Sequence, residues 1–136
     1  MDRAELVAFV LRRRQALLAT RGPDGAPQSS SVDVAVTDEA EIVFDVSIHS
    51  REYQNLVAFP LVALVIGADE EVTVQCEGTA DLLSGEDRDR CLRTYFQQQP
   101  NGRDRALKAY IAHVRVRPRM LRLADPFGVQ DILLAD

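Results

Sequence analysis

Between residues 31 and 48 the side chains alternate with a period of two. Val32, Val34 and Val36 stand against Ser31, Asp33 and Ala35. Ile42, Phe44, Val46 and Ile48 then share one face, with Val43, Asp45, Ser47 and His49 on the other. Only an extended strand sends successive residues to opposite faces, so this pattern predicts two strands, each with one buried face. The link Asp38-Glu39-Ala40 is short and polar, which makes the pair antiparallel.

The same reading extends along the chain. Ala16-Leu17-Leu18-Ala19 is a short apolar run that stops at the turn cluster Arg21-Gly22-Pro23-Asp24-Gly25. Leu61 to Ile66 is apolar on both sides and predicts a strand buried on both faces, against the core and a partner subunit. Val72, Val74 and Cys76 alternate with Thr73, Gln75 and Glu77, and Gly78 marks a bulge or a close backbone approach. In the last strand, Ile111 to Leu123, Ala112, Val114 and Val116 share one parity, but Leu121 and Leu123 take the apolar role at odd positions. That slip needs an extra residue and predicts a bulge near Pro118. The expected fold is mainly β: six antiparallel strands in a closed or split barrel, with helices at its edges.

The helices are read from their own spacing. Leu6, Val7, Val10 and Leu11 recur at helical intervals between Asp2 and Arg14, and Asp2 with Glu5 forms a cap. A brief helix runs from about Arg51 to Ala58 and ends at Phe59-Pro60. Ser84 with Asp87 starts a longer helix whose stripe is Cys91, Leu92, Tyr95 and Phe96. Pro100-Asn101-Gly102 breaks it, and a shorter piece is expected around Arg105 to Tyr110. The tail from Pro126 to Asp136, with Phe127, Ile132, Leu133 and Leu134, is too apolar to hang free and is expected to dock on this subunit or its partner. Without internal repeats or low-complexity segments, residues 1–136 read as one domain.

Several function classes fall away. The formal net charge of -5, without a basic stripe, argues against nucleic-acid binding. The longest apolar run is strand length, so no membrane span is expected, and the N-terminal segment lacks a signal-peptide core, which points to the cytoplasm. Cys76 and Cys91 lack metal or redox spacing and read as buried, inert thiols. There is no Gly-rich phosphate loop, no nucleophile elbow and no metal-spaced cluster.

The stretch Asp45 to Leu56 carries the most chemistry. A strand with a polar face enters a short helix directly, and Ser50 stands at the N-cap position. The first helical amides and the positive end of the dipole form an anion site, and the Arg51 guanidinium can hold phosphate oxygens in two parallel hydrogen bonds. A capped surface helix with one exposed arginine explains the same residues. Ser29-Ser30-Ser31 would let a ligand approach a strand closely, or would be a polar edge. Thr73 and Gln75 suit the edge of a heteroaromatic ring, or plain solvent. His113, Arg115, Arg117 and Arg122 form a basic face, or pair with surface carboxylates.

Taken in order, these pieces resemble a known family. Leu17-Leu18-Ala19-Thr20, Asp24 to Gln28, Ile42 to Arg51, Asn55-Leu56, Pro60 to Val65, Glu77 to Ala80 and Val114 to Arg122 are similar to the pyridoxamine 5′-phosphate oxidase-like, FMN-binding split-barrel family, over almost the whole chain. The resemblance implies a six-stranded antiparallel split β-barrel and a homodimer with FMN at the subunit interface. It implies Ser50 and Arg51 as the phosphate clamp; His49, just before the N-cap, is the best titratable candidate near that site or a structural histidine. Ser30, Ser31 and Val32 would lie along the ring, Asp45 and Val46 under the ribityl chain and ring, and Thr73 and Gln75 at the ring edge. Met120 and Arg122 of the partner would close the site. Glu52 stands where tightly binding members have Lys, and the tryptophan and Arg-His pair of true pyridoxamine phosphate oxidases are missing, so vitamin B6 oxidation is not expected. Three readings follow: a flavin-dependent oxidoreductase with no assigned catalytic residue, a non-catalytic module for flavin, F420 or haem, and a dimer that has lost its cofactor.

Overall fold

In the computed structural model, which describes residues 2–67 and 71–133, the alternating stretch from Pro27 to Val36 serves both ends of one sheet. The elements in chain order are α1 (Arg3–Arg13), β1 (Gln15–Arg21), β2 (Pro27–Asp33), β3 (Ala35–Val36), β4 (Ile42–Ser47) and α2 (Arg51–Ala58). They continue with β5 (Leu61–Ile66), β6 (Thr73–Leu82), α3 (Gly85–Gln98), α4 (Gly102–Ala106), β7 (Ile111–Asp125) and β8 (Gly128–Leu133). The sheet order is β2-β1-β5-β6-β7-β4-β3, with β8 also on β7, and every pair is antiparallel. Because β2 and β3 are consecutive in sequence but lie at opposite ends of that order, the sheet curls round and meets itself at Val34. The fold is the expected antiparallel split barrel.

The count of six strands needs correcting to eight. Val34 leaves the ladder, since its amide donates to Arg14 O and its carbonyl accepts from Gln99 Nε2, and this divides one expected strand into β2 and β3. The tail supplies the other addition. It folds back as β8 along β7, with Ile132 against the core, while Phe127 at the hairpin tip stays exposed. Leu134 lies outside the described residues.

Inside the barrel, Val32, Val34, Val36, Ile42, Phe44 and Val46 meet Leu18, Leu64, Ile66, Val74 and Cys76 in one core, and Leu6, Phe9 and Val10 of α1 close it. The Asp2–Glu5 capping box starts α1 as the spacing predicted. The second face of β4 is covered too: Val43 and Ala35 pack beneath Cys91, Leu92 and Tyr95 of α3. Strand β5 meets the core on one face as expected. Val62, Leu64 and Ile66 point inward, but within one chain the other face is open, and Leu61 is 57 % exposed. The final short helix begins at Gly102, three residues before Arg105, because Gly102 lies on the Tyr95 ring; a Cβ there would stand 2.6 Å from Tyr95 Cε2.

The predicted parity slip is a bulge at Arg119. Glu77 faces Met120 and Gly78 faces Pro118, so β7 carries one residue more than β6. Gly78 is required there, since a Cβ would stand 2.5 Å from Arg117 O and 2.8 Å from Val116 Cγ1. The bulge also divides the far edge of β7, which pairs with β4 before it and with β8 after it.

Helix α3 is pinned by polar groups. The Gln98 amide acts as a strand partner for β3: Val36 N donates to its Oε1 and its Nε2 donates to Val36 O, both at 2.8 Å. Glu41, which is buried, accepts from Arg90 through both carboxylate oxygens, from Arg115 and from the Thr37 hydroxyl. The Arg90 guanidinium first, with Thr37 and Arg115, holds its carboxyl down to about 2. Arg115 is itself buried and reaches Asp81 and Asp87 as well. A carboxyl depressed in the folded state binds protons more readily when unfolded, so its stabilisation is complete above the ordinary value of 4.5 and disappears as the pH falls toward about 2. Glu41→Gln should therefore lose on the order of 3 kcal/mol at neutral pH. In urea titrations the gap between variant and wild type should close progressively below pH 4.5.

Candidate functional site

Strands β2 and β4 approach each other across the split; among the described residues β2 has no strand partner beyond β1, and the edge of β4 away from β7 is paired with β3 only at Ile42 and Val43. Helix α2 packs against both. It is anchored by Leu56 in the core and by buried Asn55, whose Nδ2 donates to Thr20 Oγ1 at 3.0 Å and to Gln28 Oε1 at 2.8 Å. The start of α2 is therefore fixed relative to β1 and β2, not only to its own strand.

The turn into α2 is tied internally. Ser50 has extended backbone, its Oγ accepts from Tyr53 N at 3.2 Å and donates to Ser47 O at 2.7 Å, and His49 N donates to Ser47 Oγ. Gln54 N bonds Ser50 O. The Arg51 and Glu52 amides are left as the free donors of the first turn, beside an exposed Arg51 side chain that makes no ion pair among the described residues. These groups fit a phosphate. Glu52, half-buried in the same turn, is the one group that opposes an anion.

The structure sorts the predicted site residues into two groups. Ser30, Ser31, Val32, Asp45, Val46, His49, Ser50 and Arg51 lie on β2, β4 and the turn into α2. Within this group Val32 and Val46 face the core, so only their backbone can meet a ligand. Thr73, Gln75, Met120 and Arg122 lie on the outward face of β6 and β7, where Gln75 pairs with Arg122. Strands β1 and β5 separate β2 from β6, which is three ladder steps or roughly 14 Å. One chain does not bring the two groups together. Arg122 is also engaged, since it makes two hydrogen bonds to Asp131 of β8.

The Asp45 carboxylate is turned away from the turn into α2, toward the helical side. Its Oδ2 accepts from Arg105 Nε at 2.8 Å and from the Tyr95 hydroxyl at 3.0 Å. Burial first and then the Asp45 charge push the Tyr95 phenol up. His113 stands across the ladder from Asp45 and is buried edge-on to Tyr95 and Phe96. Its Nε2 has no hydrogen-bond partner, and burial together with Arg88 and Arg105 lowers its basicity while Asp45 opposes this. No local pattern in the sequence marks this group. Tyr95 read as a stripe residue, and Arg105 was an unremarked helical arginine.

The basic face expected on the last strand does not form. Of the four residues, His113 and Arg115 are buried in the helical layer and Arg115 and Arg122 pair with carboxylates, so Arg117 alone stays exposed without an ion pair among the described residues. Both cysteines are buried, and burial pushes the Cys76 thiol up to about 12, so neither is a nucleophile. Among the described residues no group of His, Cys and carboxylates could hold a metal ion, and no helix is long and apolar enough to cross a membrane.

The comparisons agree with this geometry. Residues 3–117 match the family described as pyridoxamine 5′-phosphate oxidase. A pyridoxine/pyridoxamine 5′-phosphate oxidase from Rubrobacter xylanophilus is 37% identical over 87 residues, which is 63% of this chain and 38% of that protein. The chain thus spans well under half the length of this relative. A heme binding protein from Mycobacterium smegmatis superposes with a TM-score of 0.86 at 16% identity, covering 98% of this chain and 58% of that one. HutZ, the heme storage protein from Vibrio cholerae, superposes at 0.73 and 17% identity, covering 85% and 88%. At such identities the likeness shows the fold, while the match over residues 3–117 shows that this chain belongs to the pyridoxamine 5′-phosphate oxidase family.

Proposed function

We propose that this protein binds FMN as a homodimer and serves as a flavin-dependent oxidoreductase. The observation that carries the reading is the first turn of α2, where a Ser50 cap, two free amides and an unpaired Arg51 converge at the end of the split. The Arg51 side chain and the Arg51 and Glu52 amides would hold the phosphate, joined by Ser50 if its hydroxyl turns from Ser47 O, and the open edges of β2 and of Phe44–Ser47 would lie beside the rest of the cofactor. The flavin would supply the electron transfer, and this chain's residues bind it, orient it and exclude water. Arg51→Ala removes the charge-assisted hydrogen bonds and should weaken FMN binding about 10- to 100-fold, read from the visible spectrum after desalting. Glu52→Lys replaces repulsion by attraction and should tighten binding by about tenfold. Equal FMN affinity in wild type and both variants would remove the clamp.

The division of the expected site residues supports the homodimer. Thr73, Gln75 and Met120 can meet the clamp only from a second copy. The open face that would bring them carries Leu17 at 46 % and Leu61 at 57 % exposure, alternating with core residues. Obligate partners cover apolar faces of this kind. Leu17→Asp with Leu61→Asp should give a folded monomer in sedimentation and lower FMN affinity together with dimer content.

Haem is the second reading, favoured by the fold shared with two heme proteins. His113 is enclosed beneath α3, which leaves His49, exposed beside Tyr110, as the histidine able to reach a ligand at the split. Added hemin should then give a Soret band that His49→Ala abolishes. A band unchanged in that variant would remove His49 as the axial ligand, and no band at all would remove the haem reading.

A further inference from the structure

We propose that the Phe127 tip of the β7–β8 hairpin of one subunit seats in the groove between Arg21 and Arg119 of a second copy, an inference that rests on the homodimer reading. Phe127 is 98 % exposed, and its ring is not on a loose segment. The hairpin is paired from Met120↔Leu133 to Asp125↔Gly128, and Phe127 N donates to Asp125 Oδ1 at 2.8 Å. The tip therefore holds Phe127 on a fixed backbone, its ring open to solvent, with a carboxylate beside it.

A groove of about 350 Å³ lies on the same outward face, between the β1–β2 hairpin and the Arg119 bulge. Leu61, Ala63 and Gly78 give it an apolar floor, and Arg21, Arg119 and Glu77 stand at its rim. Arg21 lies over the Phe59 ring at 4.1 Å, and neither arginine is ion-paired among the described residues. Two arginines against one glutamate leave the rim net positive, which suits Asp125. The floor suits a phenyl ring, and the guanidiniums can pack on its face.

The topology keeps each tip off the groove of its own chain. The tip lies beyond the Thr73↔Ala124 end of β6 and β7, and the groove lies at the Gly78 and Arg119 end. The paired hairpin holds the tip away from its own chain's groove, so the contact needs a second copy. The bulge then has a purpose besides parity, since it turns Arg119 out to the rim.

The chain contains no tryptophan, so Phe127→Trp creates a single fluorescent reporter at the tip. Its emission and acrylamide quenching would be read on the full chain, with sedimentation velocity on the same samples. In the dimer the account expects blue-shifted emission and several-fold reduced quenching, and both should revert when Arg119→Glu is added to repel Asp125. A dimer with fully exposed emission would overturn the docking and leave the dimer standing. A monomer would overturn the dimer reading and the docking together. Protected emission that ignores Arg119→Glu would place the tip elsewhere and overturn the proposal as well.

Discussion

Val34 is the residue at which this barrel closes. Up to Asp33 the chain pairs with β1, from Ala35 it pairs with β4, and at Val34 it does neither. Its backbone is satisfied instead by Arg14 at the end of α1 and by Gln99 at the end of α3. A buried backbone amide and carbonyl without partners would each cost a few kcal/mol, so the crossover exists only while both helix ends are in place. The split follows from the same constraint. Because β2 is committed to β1, and β3 is only two residues long, the rest of β4 has no neighbour on that side. The slot in which a ligand is proposed to lie is what a closure at a single residue leaves open.

The helical layer depends on polar contacts more than on its apolar stripe. Glu41, Arg90 and Arg115 join the β3–β4 turn, α3 and β7, while Asp45, Tyr95 and Arg105 join β4 to α3 and α4. Gly102 allows the second of these by letting α4 begin against the Tyr95 ring. This layer also touches the anion turn: Ile48 N donates to Tyr110 O at 2.8 Å, and His49 lies near the Tyr110 ring. The end of α4 and the start of α2 are thus mechanically linked, and a change that loosens Arg105 from Asp45 would be felt two residues before Ser50.

Much of this was legible in the sequence because it was periodic or local. The strands announced themselves by alternation, the Arg119 bulge by a slip in parity, and the starts of α1 and α2 by their caps. Gly78 was readable because two strands can approach so closely only over a missing side chain. What stayed hidden depends on contacts between distant positions. Nothing local distinguishes Val34 from Val32 or Val36, yet it alone leaves the ladder. Arg115 looks like a solvent-facing strand residue until α3 covers it, and which face of β5 turns to the core is decided only by its neighbours in the sheet. The anion site was read from Ser50 and Arg51, but the separation of Thr73 and Gln75 from it appears only in the strand order.

The central claim is that one chain supplies the anion turn and a second chain supplies the surface opposite it. A crystal structure of the protein with FMN tests this most directly. The account predicts the phosphate against Ser50 and the Arg51 and Glu52 amides of one subunit, with the ring against the β6–β7 face of the other. A phosphate bound away from the start of α2, or a cofactor held entirely within one chain, would contradict it.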